Sequence, residues 1–120
     1  LGIRFARSMD GGSVLNANGT ATIEQANGEP AAWATYYGAL EGGGLCGVAV
    51  FDHPRNPRHP TPFFVMNRFG YLSAAPAFRE PFHLGVGQAI RLRYAVLAYL
   101  GAPARDRLEQ LYRRWIGNER

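Results

Sequence analysis

The chain has 120 residues, 47% hydrophobic and 18% charged, which describes one globular domain with one core and excludes a disordered chain. The formal charge is +4, and all 13 basic residues are arginine, scattered in ones and twos; with no basic run and no recognised motif, nucleic-acid binding is not expected. A single cysteine excludes an internal disulfide or a cysteine-rich metal site, and no apolar run approaches the roughly 18 residues of a membrane span.

Leu1, Ile3 and Phe5 alternate with Gly2 and Arg4, as in a short half-buried strand. Turns follow at Asp10-Gly11-Gly12-Ser13 and Asn16-Ala17-Asn18-Gly19, with only the pair Val14-Leu15 between them. Residues 20–31 carry few large apolar groups and read as a surface excursion. Trp33 to Tyr37 is aromatic and strand-like. Glu41-Gly42-Gly43-Gly44 then makes a hairpin turn into Leu45–Phe51, a run apolar enough for a central strand buried on both faces. Cys46 in that run reads as a small buried hydrophobe.

Phe63–Met66 and Gly70-Tyr71-Leu72 read as further strands, and Gly85-Val86-Gly87 as a turn. Ala89–Leu100 has the plainest period of two. Ile90, Leu92, Tyr94 and Val96 face one way; Arg91, Arg93, Ala95 and Leu97 face the other, solvated side. Only the end of the chain changes period. Pro103 suits a first helical turn, Leu108, Leu111, Tyr112 and Trp115 recur at three- and four-residue steps, and Gly117 is the expected stop. The expected fold is mainly β: an antiparallel sandwich, or half of a larger one, with one C-terminal helix. No repeat or linker divides residues 1–120.

The chemistry concentrates after Phe51. Asp52-His53-Pro54-Arg55-Asn56-Pro57-Arg58-His59-Pro60-Thr61-Pro62 holds four prolines within nine residues. Each fixes its own φ and pushes the preceding residue toward an extended conformation, so the loop is stiff before any tertiary contact forms. On it, His59 or His53 could act as acid or base and Asp52 could orient a histidine. Arg58, Arg55 and Asn56 could hold a polar ligand. The bland reading is equally available: Asp52 accepts loop N–H groups, an arginine pairs with it, and both histidines satisfy carbonyls. His53 and His59 lack metal-ligand spacing, and no metal or cofactor is expected. No serine lies in a nucleophile motif, and Cys46 has no electropositive neighbours in sequence. Trp33 and Tyr36 are candidates for an aromatic ligand platform, although strand aromatics more often pack across strands.

Taken together, certain segments resemble one family. They are Leu1-Gly2-Ile3-Arg4, Leu15-Asn16 with Gly19, Ala32-Trp33 with Tyr36-Tyr37-Gly38, and above all Phe51-Asp52-His53-Pro54 with Asn56-Pro57-Arg58-His59-Pro60-Thr61. Leu92-Arg93-Tyr94 and Leu111-Tyr112 close the series. The chain is similar to the bacterial domain-of-unknown-function family that carries the name methane oxygenase PmoA. That resemblance implies a soluble β-sandwich protein associated with carbohydrate or small-molecule catabolism. It also implies a further β-rich half before Leu1, which makes this chain a C-terminal half whose site is completed by that half or by a second copy. Two departures stand out: Ala34-Thr35 replaces a Trp-Gly-Lys-like stretch after Trp33, and Phe63-Phe64 replaces a Trp-His pair.

Two functions are then compatible with the residues. One is an enzyme, or half of one, acting on a hydroxyl-rich, carbohydrate-like substrate through Asp52, His53 and His59. The other is a non-catalytic ligand-binding or assembly module in which the proline loop is a clasp. The first requires His59, Asp52 and Arg58 to converge on an open concavity. Compartment is not legible in the chain.

Overall fold

The computed structural model describes residues 1–118. Within these residues seven strands form two antiparallel sheets. The smaller sheet has the order β1-β6-β5, with β1 at Gly2–Arg4, β5 at Phe63–Met66 and β6 at Tyr71–Ala74. The larger has the order β2-β3-β4-β7, with β2 at Ser13–Asn16, β3 at Trp33–Ala39, β4 at Leu45–Asp52 and β7 at Tyr94–Leu100. A one-turn helix α1 spans Ile23–Ala26, and the terminal helix α2 spans Arg105–Asn118. Among the described residues no helix is long and apolar enough to cross a membrane.

Period-two alternation in the larger sheet feeds two cores. Val14, Ala34, Tyr36 and Val50 face the smaller sheet and pack on Phe63, Val65 and Leu72. Trp33, Ala49 and Phe51 face the opposite way and pack on Leu108 and Tyr112 of α2. β4 is central and loaded on both faces, which is why Leu45–Phe51 reads as a nearly continuous apolar run. Each large side chain taken out of water here contributes roughly 1.5–3 kcal/mol. The Asn18-Gly19 turn forms as its sequence demands, with Gly19 at φ +84° and its N–H on the Asn16 carbonyl at 2.9 Å.

Four expectations need correction. The strand expected from Ala89 begins only at Tyr94. Its ladder partner β4 ends at Asp52, opposite Tyr94; beyond it the His53 N–H still reaches the Arg93 carbonyl at 3.3 Å, but the regular pairing stops there. The faces of β7 are also reversed. Ala95, Leu97 and Tyr99 pack toward α2, whereas Val96 is 54% and Leu100 80% exposed. The helix covers the side assigned to solvent. Residues 20–31 are not merely a surface excursion, because Ala26 reaches the inter-sheet core. Glu29 there collects Asn16 Nδ2 at 2.6 Å, Thr20 Oγ1 at 2.8 Å and Asn18 Nδ2 at 3.2 Å on one oxygen. Finally, α2 passes through Gly117 to Asn118 rather than stopping there.

Candidate functional site

β4 cannot continue past Asp52, since proline supplies no ladder N–H. The chain makes two successive turns instead, closed by Asn56 N–H to the His53 carbonyl at 2.9 Å and His59 N–H to the Asn56 carbonyl at 3.2 Å. The His59–Pro60 peptide is cis.

Asp52 is the hub of these turns and is completely buried. Its Oδ1 accepts Asn56 Nδ2 at 2.7 Å; its Oδ2 accepts the Thr61 N–H at 3.1 Å and meets His59 Nδ1 at 2.5 Å. A carboxylate this deep is tolerated only when donors surround it, and they do. Asn56 then reaches across to the segment before β7. Its Oδ1 accepts the Arg93 N–H at 2.7 Å, and its Nδ2 donates to the Arg93 carbonyl at 2.7 Å, as a neighbouring strand would. Above the same carboxylate residue, the Tyr112 hydroxyl donates to the Asp52 main-chain carbonyl at 3.0 Å. Burial, then the charges of Asp52 and Glu109, push the Tyr112 phenol up to about 12.

The other candidates disperse. His53 is buried, accepts the Arg55 N–H on Nδ1 at 3.1 Å, and meets the Trp115 ring edge-on at 5.2 Å. With Nδ1 used as acceptor, Nε2 carries the proton; it is buried without a hydrogen-bond partner among the described residues. His53 is thus seated under α2 and not in reach of a substrate, contrary to the expectation of a second acid or base. Arg55 is exposed on the loop. Arg58 stands at φ +66°, a left-handed conformation that costs a non-glycine residue about 1–3 kcal/mol. The guanidinium is not among the donors that reach the Asp52 carboxylate. It donates to the carbonyls of Pro76 at 2.9 Å, Pro81 at 2.8 Å and Glu80, and stacks over Phe82 at 3.9 Å. Trp33 and Tyr36 are fully buried on opposite faces of β3, as cross-strand packing residues would be, so neither forms a ligand platform.

Asp52, Asn56 and His59 therefore come together, while Arg58, Arg55, His53, Trp33 and Tyr36 do not join them. The cleft of about 240 Å³ that Arg58 lines is walled by prolines 30, 60, 62 and 76 with Arg79 and Glu80, not by Asp52 or His59. What remains chemically active in the cluster is the His59 ring, 20% exposed, held at Nδ1 by a buried carboxylate.

A larger concavity lies elsewhere. Phe64, Tyr71 and Ser73 stand out from the smaller sheet on the side away from the core, and residues 75–92 fold over them. The resulting cavity is about 650 Å³ and is lined by Phe64, Phe69, Tyr71, Phe78, Phe82 and Leu92, among others. Phe64 packs edge-on to Tyr71 with ring centres 5.6 Å apart. Sequence reading passed over it, although one signal was present. Phe63 and Phe64 are adjacent in a strand and must face opposite sides, so one of them had to leave the core.

A family model spans residues 1–113, from β1 into α2, and so takes in both the proline loop and the aromatic cavity. The chain belongs to the family of unknown function DUF6807. No curated protein and no solved structure matches it. Membership in DUF6807 states kinship without assigning chemistry.

Proposed function

We propose that this DUF6807 domain is a non-catalytic ligand-binding module in which the proline loop is a clasp and the aromatic cavity is the binding surface. One observation carries this reading: Asp52 is wholly buried with its donors supplied by the protein itself, whereas the open concavity is apolar and elsewhere. The loop serves that cavity indirectly. Arg58 fastens the carbonyls of residues 76, 80 and 81, and this segment leads into the cavity wall. A cavity of about 650 Å³ is of the size that encloses a small organic molecule.

A second reading is favoured by a single geometry, the 2.5 Å contact of His59 Nδ1 with buried Asp52. A carboxylate there fixes the ring so that Nε2 can take a proton from a substrate hydroxyl. This is the reading in which a carbohydrate-like substrate belongs. The kinship with PmoA-named proteins, and the place of this chain as a C-terminal half, are also part of our proposal. The exposed Val96 and Leu100 side of β7 leaves room for a further layer.

Two substitutions separate the readings in one ligand screen by thermal shift, with aryl compounds and sugars side by side. Phe78→Ala should abolish the response and His59→Ala should keep it. The opposite pattern, a sugar response lost only in His59→Ala, would replace the module with the enzyme.

A further inference from the structure

Two of the rings lining the cavity carry a cation on one face. The Arg58 guanidinium lies 3.9 Å from the Phe82 centroid and the Arg4 guanidinium 4.7 Å from that of Phe69. Their situations differ. Arg58 spends its donors on three main-chain carbonyls. Arg4 projects from β1, in register with Tyr71, on the same outer face as the cavity floor. Among the described residues, its contact is the Phe69 ring, with no hydrogen bond or ion pair. Among the described residues no carboxylate lines the cavity, and its side-chain polar groups are the hydroxyls of Tyr71 and Ser73.

These facts restrict the ligand. A cationic molecule would otherwise suit an aromatic box, but here guanidinium groups already occupy faces of Phe69 and Phe82 and would repel it. A hydroxyl-rich molecule would lose water and find two side-chain hydroxyls in return. A flat apolar body gains from Phe64, Phe78 and Tyr71, and an anionic end gains a charge-assisted pair with Arg4. We propose that the cavity binds a planar apolar molecule bearing a carboxylate or similar anion, with Arg4 as the residue that reads the charge. The inference rests on the module reading above.

The test titrates the full chain with a biphenylcarboxylate and with its neutral carboxamide, following amide NMR shifts and calorimetry. The carboxylate should perturb residues 71–73 and 76–82 and bind about tenfold more tightly than the carboxamide, the range for one exposed charge-assisted pair. Arg4→Gln should erase that preference, while Phe78→Ala should weaken both. Equal binding of the two probes, or a preference that survives Arg4→Gln, overturns the anion assignment and leaves the cavity as a binding surface. If neither probe perturbs the cavity, or if Phe78→Ala instead dissociates a dimer that covers it, the module reading falls as well.

Discussion

Residues 52–61 and residues 75–92 are both irregular segments laid against the same sandwich, yet they have opposite chemistry. The first is crowded with Asp, His, Asn and Arg, and folds around a carboxylate that sees no solvent. The second contributes mainly apolar groups, and over the smaller sheet it leaves a cavity of about 650 Å³ open. A polar, proline-stiffened loop looks like a place to meet a ligand, but each of its polar groups needs a partner once the backbone turns inward. Here Asn56, Thr61 and His59 meet that need internally. The accessible concavity is made instead by rings such as Phe64, Phe69, Phe78 and Phe82, with no cluster of polar groups at its wall.

The contrast can be broken most directly at Asp52. Asp52→Ala should cost about 3 kcal/mol in denaturant unfolding, because it strands buried donors from Asn56 and Thr61 at once. A loss below about 1 kcal/mol would mean that the clasp holds nothing together. Asn56→Ala comes next, at about 2 kcal/mol, since it removes the two bonds to the Arg93 main chain as well as one to Asp52. Hydrogen exchange should then quicken at Arg93, whose N–H is the one Asn56 holds.

The same contrast explains what the sequence disclosed. β3, β4, β5 and β6 and the buried face of α2 followed from periodicity, because burial on a sheet or helix repeats with the geometry of the backbone, and the hairpin at Gly42–Gly44 followed from its glycines; β2, between two turns, and the faces of β7 did not. The extra turn α1 and the late start of β7 did not. Ala26 reaches the core through a tertiary contact, and Arg93 is claimed by a side chain distant in sequence. At the candidate site, the residue types of Asp52, Asn56 and His59 were legible and their grouping was not. Sequence spacing says nothing of direction, and the Arg58 guanidinium goes to the carbonyls of Pro76, Glu80 and Pro81. The cavity was the least legible part, because Phe64, Phe69, Tyr71, Phe78 and Phe82 share no period.

A smaller effect should come from Arg58, which links the two regions. Arg58→Ala should change global stability by less than about 1 kcal/mol, since the bonds it makes are exposed and the strained φ remains. Its local effect should be plain: residues 76–82 lose three anchors, and proteolysis there should accelerate. Arg58→Gly separates the two contributions. It relieves the left-handed strain while still releasing the segment, so it should be more stable than Arg58→Ala but equally cleavable. Unchanged cleavage in both variants would detach the loop from the cavity altogether.

The finest distinction is between Asp52 and a second carboxylate hub at lesser depth. Burial works to raise the Glu29 carboxyl, but hydrogen bonds from Asn16, Thr20 and Asn18 outweigh it and hold the group below its ordinary value of 4.5. A carboxyl lowered by folding contributes stability that is fully present above the unfolded value and is lost as pH falls through the folded one. Wild type should therefore lose stability relative to Glu29→Gln as pH is lowered from about 6 to about 3, and the two curves should run parallel above that window. The difference should be small, because the half-buried Glu29 oxygen keeps water as an alternative partner and the Asp52 oxygens do not. Curves that stay parallel throughout would show that the cluster around Glu29 contributes no net preference for the ionised form. The deep carboxylate would then be the only one of the two whose donors matter to folding.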